Sequence, residues 1–206
     1  MEYALLRSLR ALGPGLILLG YGDVFLAFVL GQHAYFWELD SAKLFVVAYV
    51  IGGLYGVLAS ACRRDRYAFA GVQESILRTF QKHFPDLQGR KWREISPCFY
   101  KLIDTDSSLQ QKSKAVRFNG FIVTTSFDAM WISVLAVCVG ALAALYTDVT
   151  LYLSVAATVC VISYLVWRQS VTRHCELADE QVNVIGRRLS TDFLDCITEA
   201  SRARSR

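Results

Sequence analysis

The chain has no C-x-x-C pair, no H-E-x-x-H, no G-x-S-x-G, no Walker A loop and no glycine-rich dinucleotide fingerprint. These absences remove thiol-redox and zinc sites of the usual spacing, zincin-type and hydrolase-type catalysis, and nucleotide binding through a phosphate cradle. No catalytic residue, metal or cofactor is therefore expected. Lysine and arginine are missing from every long apolar run. Of the six cysteines, Cys138 and Cys160 fall within such runs. Cys62, Cys98, Cys175 and Cys196 fall at or beyond the ends where basic residues collect. None falls in the short acidic connections, so no structural disulfide is expected.

What is present is apolar. Hydrophobic residues make up 54% of the chain against 19% charged, and the mean hydropathy is +0.33. The two figures are compatible when charge and apolar sequence are segregated, as in a polytopic membrane protein. Residues 16–36, interrupted by Asp23, and the uncharged residues 44–62 each approach the roughly 20 residues that cross a bilayer. Residues 129–167 form two further spans separated by Asp148. The expected fold is all-α, a polytopic membrane protein with four transmembrane helices in two hairpins and a cytoplasmic helical subdomain. Its divisions are an N-terminal segment (1–15), a first hairpin (16–62), a helical insert (63–127), a second hairpin (128–167) and a helical tail (168–206). The first apolar stretch is long and has no small-residue cleavage site, so it is read as a span and not as a removable signal.

Charge sets the expected orientation. Of 22 Lys and Arg, only Lys43 lies in a connection on the far side. Arg7 and Arg10 precede the first span, twelve lie from Arg63 to Arg117, and seven lie from Arg168 to Arg206. The positive-inside rule places both termini and the insert in the cytoplasm, with the chain in the inner (plasma) membrane. The opposite connections are short and acidic, with Glu38 and Asp40 in one and a Thr147-Asp148 turn in the other.

The insert is patterned. Phe69, Val72, Ile76, Phe80 and Phe84 recur at three and four residues, an amphipathic helix ended by Pro85. Ser96-Pro97 is expected to start a new element. Asp104 to Ser107 offer N-caps for a helix that continues toward the third span, with Asn119-Gly120 as a place to kink. In the tail, Ile185, Leu189, Phe193 and Ile197 are spaced by four. These faces bury against one another in a single subdomain, lie on a lipid surface, or bind a partner. Ile185, Leu189 and Phe193 are the candidate partner contacts. In the spans, Ala48, Gly52, Gly56 and Ser60, and likewise Ala136, Gly140 and Ala144, form small-residue ridges suited to close helix packing in a homo-oligomer or within one chain.

Gly20-Tyr21-Gly22-Asp23 resembles the end of a potassium-channel filter. A filter needs a preceding span, a pore helix and a threonine before the first glycine. Here Ile17, Leu18 and Leu19 precede it, and only about 15 residues lie upstream of the apolar run, too few to span. What remains is an intramembrane carboxylate, Asp23, beside Tyr21. It is costly in hydrocarbon and so marks a candidate functional position. Tyr49, Tyr55, Ser133 and Ser154 are candidate hydrogen-bond partners. Arg78-x4-His83, and more loosely Arg168-x5-His174, resemble the HEPN ribonuclease motif, which implies RNA cleavage as one alternative. Thr79 stands where that motif favours a different polar residue. Arg63-Arg64-Asp65-Arg66 and the terminal arginines read as contacts to anionic lipid. The acids dispersed through the insert disfavour nucleic acid as a partner.

The short GYGD-containing first span, the basic insert Arg63 to Arg117 and the Thr147-Asp148 hairpin together resemble small four-span bacterial antiphage-defence membrane proteins of the Kiwa membrane-component type. That resemblance implies an oligomeric inner-membrane sensor or scaffold that anchors or regulates a cytoplasmic protein. The alternatives are a pore-forming effector or small ion channel, and a membrane-bound HEPN-like nuclease. The lipid bilayer is the expected partner in all three.

Overall fold

The computed structural model describes residues 2–28, 31, 39–62, 64–69 and 71–204. Glu38, Arg63 and Arg206, named above, lie outside the described residues. Those described are mostly helical, with no strand among them. The helices are α1 (Glu2–Phe28), α2 (Ser41–Ala61), α3 (Arg64–Ala68), α4 (Val72–His83), α5 (Trp92–Thr105), α6 (Ser107–Ala143), α7 (Thr150–Arg188) and α8 (Ser190–Arg204). A 3-10 turn, Pro85–Leu87, follows α4. Four helices, α1, α2, α6 and α7, are long and apolar enough to cross a membrane. The chain is thus all-α with four membrane-spanning candidates.

Two compact units form: residues 1–68 with 121–169, and residues 69–120 with 170–206. The second draws on both the basic insert and the tail.

In the first unit, α1 and α2 pack with almost no side chain between them. A Cβ on Gly15 would lie 1.8 Å from the Ala48 carbonyl oxygen, and one on Gly52 would lie 1.7 Å from that of Ala11. Only glycine allows this approach. Helix α2 is capped by Asp40, whose carboxylate accepts from the Lys43 amide at 2.9 Å and pairs with its ammonium. The α6–α7 turn is closed the same way, with Asp148 accepting from the Thr150 amide and hydroxyl. Tyr21, Ile132, Ala136, Val149, Tyr152 and Ala156 form the core. The outer faces are apolar: Leu54 and Leu58 on α2 are 65% and 68% exposed, and Val161, Ile162 and Leu165 on α7 are more than half exposed. Contiguous apolar surface of this kind is what a bilayer covers.

The second unit has its own core. Phe80 is stacked on Phe193 at 4.9 Å and meets Phe99 edge-on at 5.6 Å. Val72, Ile76, Ile95, Leu102, Leu109, Val182, Ile185 and Ile197 complete it. One expectation changes here. Helix α5 starts at Trp92, with Pro97 inside it instead of at its start. Pro97 removes one donor from a helix whose opposite face is fully buried, and tertiary packing outweighs that loss. Helix α6 runs unbroken through Asn119-Gly120 as expected, and there the Asn119 side chain donates to the Ser170 carbonyl at 2.7 Å.

Candidate functional site

In the first unit the polar side chains sit where apolar sequence would lead one to expect none. Asp23 on α1 is 1% exposed and Asp128 on α6 is 2% exposed. Asp128 accepts a hydrogen bond from the Tyr55 hydroxyl of α2 at 3.1 Å. Tyr21 and Ser133 share one at 2.7 Å, and Ser133 also donates to the Ala129 carbonyl. Thr124 and Ser126, one turn from Asp128, are buried and return their hydroxyls to their own helix.

Helices α1 and α6 run in parallel register. Gly13 faces Thr125 and Tyr21 faces Ser133, an offset of 112 residues in both cases. Position 128 on α6 therefore lies level with position 16 on α1, and Asp23 lies seven residues farther along, about 10 Å at 1.5 Å per residue. Along the helix axis the Tyr21–Ser133 pair lies at a level between the two carboxylates. Tyr55–Asp128 and Tyr21–Ser133 are two buried polar pairs in an apolar bundle, and Asp23, two residues on from Tyr21 and so about 160° away around α1, is buried on another side of that helix. One turn beyond Tyr21, Phe25 meets Tyr152 of α7 edge-on, their rings 5.4 Å apart.

Asp128 is the residue that sequence reading missed. A span drawn from Ala129 leaves it just outside, among insert residues. The signal was available, since residues 118–127 before it are uncharged and α6 passes through them without a break. Of the hydroxyls expected to serve Asp23, Ser133 is bonded to Tyr21, Tyr55 to Asp128, and Ser154 to its own Thr150 carbonyl. Tyr49 is exposed and stacked on Phe45.

The small-residue ridges divide. Gly52 packs on α1 of the same chain, Ala136 lies in the core, and Gly140 lies under Tyr152 and Leu153 of α7. Gly56 has nothing within 4 Å of where a Cβ would stand. Ile185 and Phe193 are wholly inaccessible in the core of the second unit, and Leu189 packs against it. The expectation that these three meet a partner is corrected: a four-residue apolar spacing identifies a buried face, and this chain covers that face itself.

The nuclease-like residues do not converge. Five helical steps place Arg78 and His83 about 140° apart around α4. Arg78 pairs with Glu74 at 2.6 Å, while His83 bonds Asn183 at 2.7 Å and sits over Gly186. His174 is half-buried, edge-on to Phe69 at 5.1 Å. Among the described residues no group of three His, Cys, Asp or Glu could hold a metal. The absence of a disulfide is also corrected: Cys98 of α5 and Cys196 of α8 are bridged, their Cα atoms 5.8 Å apart.

The chain matches no family model, no curated protein and no solved structure.

Proposed function

We propose that the membrane unit is a small conduit for protons or monovalent cations, with Asp128 and Asp23 as its charge-bearing groups. The supporting observation is the near-complete burial of two carboxylates on different helices of one apolar unit, with the Tyr21–Ser133 pair at an intermediate level along the helix axis. A carboxylate held from water in a bilayer is expensive, and such residues mark ion and proton paths. The hydroxyls of Tyr55, Tyr21 and Ser133 both donate and accept, which a proton relay needs. In this reading the basic residues put the second unit on the cytoplasmic side.

The test is flux through the full chain in proteoliposomes under a potassium-valinomycin potential, read with an internal pH dye and with ion-selective electrodes. Wild-type flux should fall at least tenfold in Asp128→Asn and in Asp23→Asn. Flux that is absent from the wild type, or unchanged in both variants, sinks the conduit.

A second reading, a membrane-anchored scaffold for a cytoplasmic protein and, by resemblance, one in antiphage defence, draws on one feature of the second unit. Tyr100 is 55% exposed on α5, on a face that also carries Arg93, Pro97 and Lys101. An exposed aromatic flanked by cations is a common anchor for a protein partner. Affinity capture of the tagged chain in mild detergent should recover a protein that Tyr100→Ala loses. Capture that is indifferent to Tyr100 removes the support.

A further inference from the structure

The Cys98–Cys196 bridge ties two segments 98 residues apart, one in the insert and one in the tail. It lies in the unit whose flanking charges place it in the cytoplasm, where thiols are held reduced and a disulfide is usually transient. We propose that Cys98 and Cys196 are a reversible redox pair, bridged under oxidative load and opened by thiol exchange, that fastens the C-terminal helix α8 to α5. The proposal rests on the cytoplasmic placement of the second unit in the reading above, and not on the conduit.

The surroundings favour exchange at one sulfur. Cys98 is 1% exposed in the core, whereas Cys196 on α8 is only partly covered. An incoming thiolate, from glutathione or a protein dithiol, attacks Cys196 Sγ. The Cys98–Cys196 bond breaks as the new one forms, and Cys98 leaves as a thiolate that takes up a proton. A second thiol of the reductant then attacks the mixed disulfide and releases Cys196. The protein gains two electrons and two protons, and the reductant leaves as its disulfide. Closure is the reverse, with glutathione disulfide or a protein disulfide as oxidant.

Opening would loosen α8 without dissolving the unit. The helix begins after a break at Leu189, and its fully buried anchors are Phe193 and Ile197. Its outer face carries Asp192, Asp195 and Glu199, and at its far end Arg90 donates to Ser201 at 3.1 Å. Cys175, the third cysteine of this unit, is unbridged and packs against the same core, so it provides an internal thiol reference.

The experiment is acid trapping of thiols in intact cells that express the full chain, followed by denaturation and labelling with a maleimide polymer that retards each free thiol on a gel. Unstressed cells should show all six thiols labelled. A brief diamide pulse should remove two adducts, and removal of diamide should restore them. Cys98→Ala and Cys196→Ala should each show five adducts before and after the pulse. In purified wild type, trypsin should release the arginine-rich end of α8 at least fivefold faster after reduction. Protease protection of a C-terminal tag in oriented vesicles fixes the side of the membrane. A cytoplasmic tag with a bridge that never forms, or that persists in unstressed cells, overturns the redox pair and leaves the placement intact. A tag on the far side overturns the placement and makes the bridge a constitutive staple. Trapping on the wild type decides the matter even if a cysteine variant fails to fold.

Discussion

Phe193 and Tyr100 mark the two extremes among side chains of the second unit. Phe193 is fully inaccessible, stacked on Phe80 and within 5.0 Å of Phe84. Truncation to alanine removes packing against two aromatic rings and leaves a cavity, so Phe193→Ala should cost about 3–5 kcal/mol. Tyr100→Ala should stay within about 0.5 kcal/mol. Urea unfolding of the detergent-solubilised chain, followed by tryptophan fluorescence near Trp92, distinguishes the two. Asp106 supplies a pH dependence. Its carboxylate is held below the usual range by hydrogen bonds from the Ser108 hydroxyl and then from the Leu109 amide. A depressed folded-state value means that the contribution is present above the ordinary 3.8 and is lost as pH falls through the lower folded value. Asp106→Asn, which can still cap, should flatten that part of the acid-unfolding curve and leave stability at neutral pH nearly unchanged. An unaltered acid limb would mean that Asp106 contributes nothing there.

At the scale of the element, the α1–α2 contact makes the sharpest demand. The Ala11 carbonyl stands where a Cβ on Gly52 would go, and backbone cannot yield as a flexible side chain does. Gly52→Ala should therefore destabilise by about 1–3 kcal/mol or more through overpacking. Gly56→Ala, in open space on the same helix, should be neutral or gain about 0.5–1 kcal/mol from helix propensity. Thermal aggregation midpoints in one detergent compare them directly. A loss at Gly56 as large as that at Gly52 would show that a second copy packs there. The two glycines look alike in the sequence, and both belong to a ridge at every fourth position. What separates them is which stripe of α2 meets α1, and that depends on how the hairpin closes. The apolar spacing of Val72, Ile76 and Phe80 was legible because helical periodicity is local, but Phe69, expected on the same helix, lies before it in a turn, cut off by the left-handed Gly71. That the insert covers the Ile185–Phe193 face was among the readings the sequence allowed, while which helices do so was not legible, because α4 and α5 are about 100 residues away in the chain.

At the scale of the molecule, exposed apolar surface on α2 and α7 belongs against lipid. A charge placed near the middle of that surface should oppose insertion. Leu54→Lys, close to the centre of α2, should cost about 2.5–3.5 kcal/mol in a glycosylation-based insertion assay. Lys in place of Tyr100, outside the membrane unit, should leave insertion unaffected. Equal insertion of Leu54→Lys and wild type would mean that this face meets protein or water.

The sequence by itself determined the helical class, the four apolar spans and the segregation of charge. These follow from composition and from periods of a few residues, which the backbone reads locally. It also exposed Asp23, since one acid inside an apolar run is visible without a fold. Only the tertiary structure decided that Asp128 meets Tyr55, that Gly52 meets its own chain, and that Cys98 meets Cys196. Each of these is a contact between residues dozens of positions apart. Such contacts are set by which helix faces can be buried together, and no local pattern encodes that choice.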